Sequence, residues 1–269
     1  MAAEARVLVA DSLTRRFGEL HAVDALSLSV TTGEVFGLLG RNGAGKSTLI
    51  KMLTTLLPPT AGSARVGGFD IVRQAAQVRE IIGYVPQALS ADGELTGYEN
   101  LQVFARLYDI PRAIRKERIR DALELMGLAD AAQKLVGTYS GGMIRRLEIA
   151  QSMLHRPKVL FLDEPTVGLD PVAREAVWEH IERLRAGFGM TIFLTTQYMD
   201  EAAQLCARVA ILRRGRLVAL GSLEELRAAC GGGEATLDAL FAHYTEDGAE
   251  GEGRYLDTAS TRNVASRLG

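Results

Sequence analysis

Residues V35-F-G-L-L39 form a continuous apolar run that leads straight into G40-R-N-G-A-G-K-S47. T48-L-I-K-M-L-T-T-L-L57 follows with helical apolar spacing and stops at Pro58-Pro59. A short run with no polar face reads as a strand buried on both sides. A buried strand, a glycine-rich turn and a helix in that order restrict the chain to an α/β fold built around a parallel sheet. The turn fits G-x-x-x-x-G-K-[ST], and the fit has a physical reason. Backbone N–H groups must converge on phosphate oxygens, and glycine lets the chain turn that closely. The helix that follows offers its unpaired N-terminal amides to the anion. Gly40, Asn42, Gly43, Ala44, Gly45, Lys46, Ser47 and Thr48 are therefore the candidate phosphate contacts. Lys46 supplies a point charge to the outer phosphates, and the Ser47 hydroxyl is a candidate ligand for Mg²⁺.

The rest of the chain repeats the alternation. Strands are predicted at VLVADSL, HAVDALSLSV, IIGYVPQ, VLFLDE and MTIFLTT, with SARVGGFDI a strand pair or turn and RVAILRRGRLVALG a closing pair. Helical spacing appears in ENLQVFARLYDI, IRKERIRDALELMGL, GGMIRRLEIAQSML, AREAVWEHIERLRA and MDEAAQLCA, and again in SLEELRAAC and EATLDALFAHYT. Three of these helices follow one another between residues 96 and 156, so they read as an α-helical insertion into the strand-bearing part. From Glu246 onward the chain is rich in Gly and Glu and then polar, which predicts a mobile tail.

V159-L-F-L-D163-E164 ends an apolar strand with two acids. Burying adjacent carboxylates is costly unless something pairs with them. Mg²⁺ is the natural partner of Asp163, directly or through water. Glu164, pointing to the other side of the strand end, is placed to accept a hydrogen bond from a water attacking the terminal phosphate. A solvated loop start is the bland alternative, and the phosphate loop in the same sheet argues against it.

Charge and cysteine usage narrow the partners. The formal net charge is -2 over 269 residues, so there is no net basic field for nucleic acid or an anionic membrane. The cysteines, Cys206 and Cys230, have no metal-ligand spacing. No apolar run reaches the roughly 18 residues of a membrane span, and the N-terminus lacks the pattern of a signal peptide.

Four further short stretches occur in order: Y84-V-P-Q87, S140-G-G-M143, G168-L-D170 and T195-T-Q-Y-M-D-E-A202. Together with the phosphate loop and the acid pair, they resemble the ATP-binding subunit of an ABC transporter over roughly residues 5 to 225. The resemblance implies a P-loop NTPase fold, with a RecA-like core, an antiparallel β subdomain and an inserted α-helical subdomain. It implies an ATP-binding domain over residues 1–230 with the helical subdomain near 89–156, followed by a C-terminal helix and tail over 231–269. Phe17 takes the place of an adenine-stacking aromatic ring. By the same resemblance Gln87 is expected to sense metal or water and to link the core to the insertion. The resemblance implies that two copies face head to tail, with ATP held between one copy's phosphate loop and the other's Ser140, Gly141 and Gly142, and it counts Asp170 among the ATP-binding residues. The resemblance also implies that the insertion contacts an integral membrane permease, which places the chain at the cytoplasmic face of the membrane, with ATP and Mg²⁺ as cofactors.

Two positions depart from the family pattern. Met143 stands where a Gln is usual, and Gln197 stands where a switch His is usual. A Gln keeps an amide donor for phosphate but does not titrate; a plain strand-end polar residue is the other reading of Gln197. T-T-Q-Y-x-D-E-A, the phrase around the phosphate loop and the ending TLDALFAHYT resemble the daunorubicin/doxorubicin branch, which implies drug export. A soluble ATPase of the same family acting on nucleic acid or ribosomes is the alternative. A small-molecule kinase is a third, and it has no use for the S-G-G and G-L-D stretches.

Overall fold

The computed structural model describes residues 6–229 and 236–245. The expected mobile tail after Glu246 and the residue Cys230 lie outside the described residues. The chain opens with β1 (Arg6–Phe17) and β2 (Leu20–Thr31), an antiparallel pair. The buried strand β3 (Val35–Leu39) follows, then α1 (Lys46–Leu53). This helix is shorter than its apolar spacing predicts. The Thr54 hydroxyl donates back to the Ile50 carbonyl, and Thr55 turns left-handed with φ 66°. Next come β4 (Ala61–Val66), β5 (Phe69–Asp70), α2 (Ala75–Ile81) and β6 (Ile82–Val85).

The insertion consists of α3 (Gly97–Leu107), α4 (Arg112–Leu125) and α5 (Gly141–Met153). Thr96 and Glu99 start α3 with a reciprocal capping box, which satisfies two of its open N-terminal donors. The chain then returns to the core through β7 (Val159–Asp163), α6 (Pro171–Phe188), β8 (Thr191–Thr196) and α7 (Met199–Leu205). It closes with β9 (Arg208–Arg213), β10 (Arg216–Gly221), α8 (Leu223–Ala229) and α9 (Leu237–Thr245).

Two sheets result. One is antiparallel, in the order β2-β1-β4-β5. The other runs β10-β9-β3-β8-β7-β6, parallel except for its edge strand β10. The parallel strands are apolar on both faces because both are covered. Phe36, Phe161 and Phe193 face the antiparallel sheet and α1, while Leu160, Leu162, Ile192 and Leu194 face α5 and α6. Register places Phe36 and Phe161 on either side of Phe193, with ring centroids 5.4 and 5.5 Å apart. This aromatic row ties the three central strands together beneath the site. Ligands of such sheets bind beyond the carboxyl ends of the strands. There β3 meets the phosphate loop, β6 meets Gln87, β7 meets Asp163 and Glu164, and β8 meets Gln197.

Candidate nucleotide-binding site

Gly45 precedes α1 in a left-handed conformation, φ 106°, and a Cβ there would fall 2.2 Å from the Ala22 carbonyl oxygen. No other residue fits that turn, and among the described residues no side chain caps the helix it opens, which leaves its first amides open to an anion. They open into a cleft of about 670 Å³ lined by Asn42, Gly43, Ala44, Gly45, Lys46, Ser47, Thr48, Gln87 and Glu164. Phe17, Leu20, His21 and Arg214 line the same cleft. The Arg15 guanidinium lies 4.6 Å from the centroid of the half-exposed Phe17 ring. Such a pair presents an aromatic face suited to a base, with the cation on one side.

Lys46 is buried although charged. Its ammonium donates to the Gly40 carbonyl at 2.7 Å and lies 3.0 Å from Glu164 Oε1. Ser47 Oγ donates to Asp163 Oδ1 at 3.2 Å. The Thr195 hydroxyl donates to the same Asp163 oxygen at 2.6 Å and accepts from the Glu164 N–H at 3.0 Å. Gln87 Nε2 donates to Glu164 Oε2 at 3.1 Å. The two acids thus serve adjacent residues of the phosphate loop, rather than facing opposite sides of the strand end as alternation predicts. Glu164 has φ 50°, a left-handed turn that breaks the alternation as β7 ends. A non-glycine residue held there costs about 1–2 kcal/mol, and Thr195 supplies the hydrogen bonds that hold it.

The remaining candidates stand elsewhere. Ser140 caps α5 by accepting from the Met143 N–H at 3.3 Å, and Asp170 caps α6 by accepting from the Ala173 N–H at 2.9 Å. These two helix starts pack together: a Cβ on Gly142 would come 2.9 Å from Ala173 Cβ, and one on Gly141 would come 3.3 Å from Leu169 Cδ2. None of Ser140, Gly141, Gly142 and Asp170 lines the cleft. The Met143 side chain is half-buried against the apolar core shared with the insertion, so the missing Gln amide is replaced by packing. Gln197 lies one residue past the Leu39–Thr196 register pair, at the strand end next to Gly40, and is not a lining residue of the cleft.

Sequence reasoning missed Thr195 and the buried polar residues Arg145, Glu148 and Gln151 of α5. The threonine belongs to an apolar strand, and the others sit among apolar residues whose spacing already accounted for the helix.

A phosphate-cradling loop at the carboxyl edge of a parallel sheet, with two acids beside it, defines a P-loop nucleoside triphosphatase. The model of the ABC transporter family matches residues 23–167. The chain is 46% identical over 225 residues to the daunorubicin resistance ATP-binding protein DrrA3 of Streptomyces coeruleorubidus, covering 84% of this chain and 71% of that protein. It is 44% identical over 247 residues to the daunorubicin/doxorubicin resistance ATP-binding protein DrrA of Streptomyces peucetius, covering 92% and 74%. The linearmycin resistance ATP-binding protein LnrL of Bacillus subtilis is 38% identical over 226 residues, covering 84% and 72%. Among solved structures, an ATP-binding subunit of an ABC transporter superposes with a TM-score of 0.78 at 29% identity, covering 88% of this chain and 99% of that one. The cbiO1 protein of Clostridium perfringens, part of the transporter complex cbiONQ, does so with 0.78 at 28% identity, covering 84% and 92%. The chain belongs to the ABC transporter ATP-binding family, and it is an ATPase of that family. No helix among the described residues is long and apolar enough to cross a membrane.

Proposed function

We propose that this chain is the nucleotide-binding subunit that powers a membrane export complex for drugs or hydrophobic natural products. One observation carries the reading. The phosphate loop and Glu164 line the cleft, whereas Ser140, Gly141, Gly142 and Asp170 are gathered at another place on the same chain. A second copy turned head to tail brings the second group over the first, and ATP joins the two. The open amides at the start of α5 suit an anion delivered across that interface. Cargo of this class is supported by the printed names of the relatives, which are resistance proteins for daunorubicin, doxorubicin and linearmycin.

The division of labour follows from the contacts. The loop amides and Lys46 hold the phosphates, and Phe17 stacks on adenine. Glu164 accepts a hydrogen bond from the attacking water. Gln87 donates to Glu164 and so holds its carboxylate in place. Gln197, at the end of β8, offers an amide donor to the terminal phosphate. Ser47 and Asp163 present hard oxygen donors side by side, the set that Mg²⁺ takes together with phosphate oxygens. They would hold that ion, which neutralises phosphate charge when bound. A permease subunit would carry the transport path, with this chain on its cytoplasmic face.

Cells that lack the chain are expected to accumulate more of a fluorescent anthracycline or another hydrophobic drug. The wild-type gene should reverse this and a Lys46→Ala variant should not. Equal accumulation across a panel of hydrophobic drugs with and without the chain would contradict the reading.

A further inference from the structure

The helix that begins at Ser140 carries a buried polar stripe. Arg145, Glu148 and Gln151 recur at three-residue spacing and are 2%, 3% and 2% exposed. Arg145 and Glu148 bond directly to the chain that leaves β6, and Gln151 reaches it through Asn100 of α3. Arg145 donates from one guanidinium nitrogen to the Pro86 carbonyl at 2.7 Å and from the other to the Gln87 carbonyl at 2.7 Å. Glu148 pairs with Arg145 at 3.0 Å and accepts from both the N–H and the hydroxyl of Ser90. Gln151 donates to Asn100 Oδ1 at 3.3 Å, and Asn100 in turn exchanges hydrogen bonds with the backbone of Asp92 at 3.0 and 2.9 Å.

A well-packed apolar stripe would be at least as stable as a buried ion pair, so stability alone does not explain the charges. The geometry does. A forked guanidinium fixes two successive carbonyls at once, which a lysine does not. The segment 86–92 is thereby held by helices of the insertion, while the Gln87 side chain reaches back to Glu164 in the core.

We propose that Arg145 and Glu148 are positioning residues that lock the Gln87 backbone to the helix beginning at Ser140, so that Gln87 meets Glu164 only when that helix is in its working place. The proposal rests on the reading of Gln87 given above and adds to it the device that moves Gln87 with α5. It makes one continuous linkage from Ser140 through α5, Arg145 and Gln87 to Glu164.

The test compares kcat for ATP and the Kd of a fluorescent ATP analogue in the full chain for Gln87→Ala, Arg145→Met/Glu148→Met, and the triple variant. The paired replacement removes both charges together, so neither is left buried alone. Arg145→Lys is a second probe that keeps the charge and loses the fork. Gln87→Ala and the paired variant are each expected to lower kcat about 10- to 100-fold, with Kd within about threefold. The triple variant should be no slower than the slower of its parents, because the residues act as one unit. Arg145→Lys should fall with the paired variant. Losses that multiply in the triple variant, or unchanged kcat in either Arg145 variant beside an impaired Gln87→Ala, would overturn the linkage. Unchanged kcat in Gln87→Ala would overturn the reading of Gln87 itself, and the linkage with it.

Discussion

Lys46 Nζ and Glu164 Oε1 lie 3.0 Å apart, and both side chains are almost fully buried. The pair binds a cation of the phosphate loop to an acid that stands at the end of a different strand. A terminal phosphate brought to Lys46 competes with Glu164 for the same ammonium, and this couples phosphate binding to the freedom of the carboxylate.

Glu164→Gln is expected to abolish turnover while preserving ATP binding. With ATP and Mg²⁺ the variant should remain a dimer. Light scattering reads the mass directly, and a monomer under those conditions would count against the head-to-tail arrangement.

Lys46→Met leaves the buried Glu164 carboxylate with Gln87 as its remaining side-chain partner. Breaking one side of a buried pair costs about 3 kcal/mol. The double replacement Lys46→Met/Glu164→Gln should recover most of that loss, because neither charge is then left alone. Urea unfolding of the two variants checks the difference; equal midpoints would mean the pair contributes nothing to the fold.

Gln197→Ala should reduce kcat more than ATP affinity, by about tenfold, the scale of one hydrogen bond of 1.4 kcal/mol made only in the transition state. Gln197→His should retain activity and acquire a dependence on pH between about 5 and 8. Unchanged turnover in the alanine variant would make Gln197 a plain strand-end residue.

The histidines predict an acid sensitivity of the fold. His155 stacks on Tyr108 at 4.0 Å, and its Nε2 lies 2.9 Å from the Ile82 carbonyl oxygen. Burial holds its pKa below 6.5, and burial does the same for His180. Nδ1 of His155 and Nε2 of His180 are buried without a hydrogen-bond partner among the described residues, so protons there find no acceptor. A lowered folded value means that the unfolded chain takes up the proton first. Stability is therefore full above pH 6.5 and falls as the pH drops below it. Between pH 7.5 and 5.5 the melting temperature should drop, and in His155→Phe the drop should be smaller by about 2–4 °C. An identical drop in the variant would remove His155 as a cause.

Most of the architecture was legible because its signals are local. The VFGLL strand and the loop after it announce the parallel sheet, and Gly45 in that loop is required by a close backbone approach that no side chain permits. The helix α2 was not legible, since its AAQVREI has a single buried residue and no capping side chain. The direction of Glu164 was misread because a left-handed residue at a strand end leaves no mark in apolar alternation. Arg145 and Glu148 read as part of an ordinary helix, because their partners are carbonyls and amides of a loop more than fifty residues away. Spacing shows which face of a helix is apolar; it does not show which polar groups are buried with it.

The most direct measurement is purification of the tagged chain from native membranes, with the bound partner identified by mass spectrometry. A polytopic membrane protein in stoichiometric amount is the expected result for a subunit that powers export. A ribosomal or nucleic-acid partner, with no membrane protein, would contradict it.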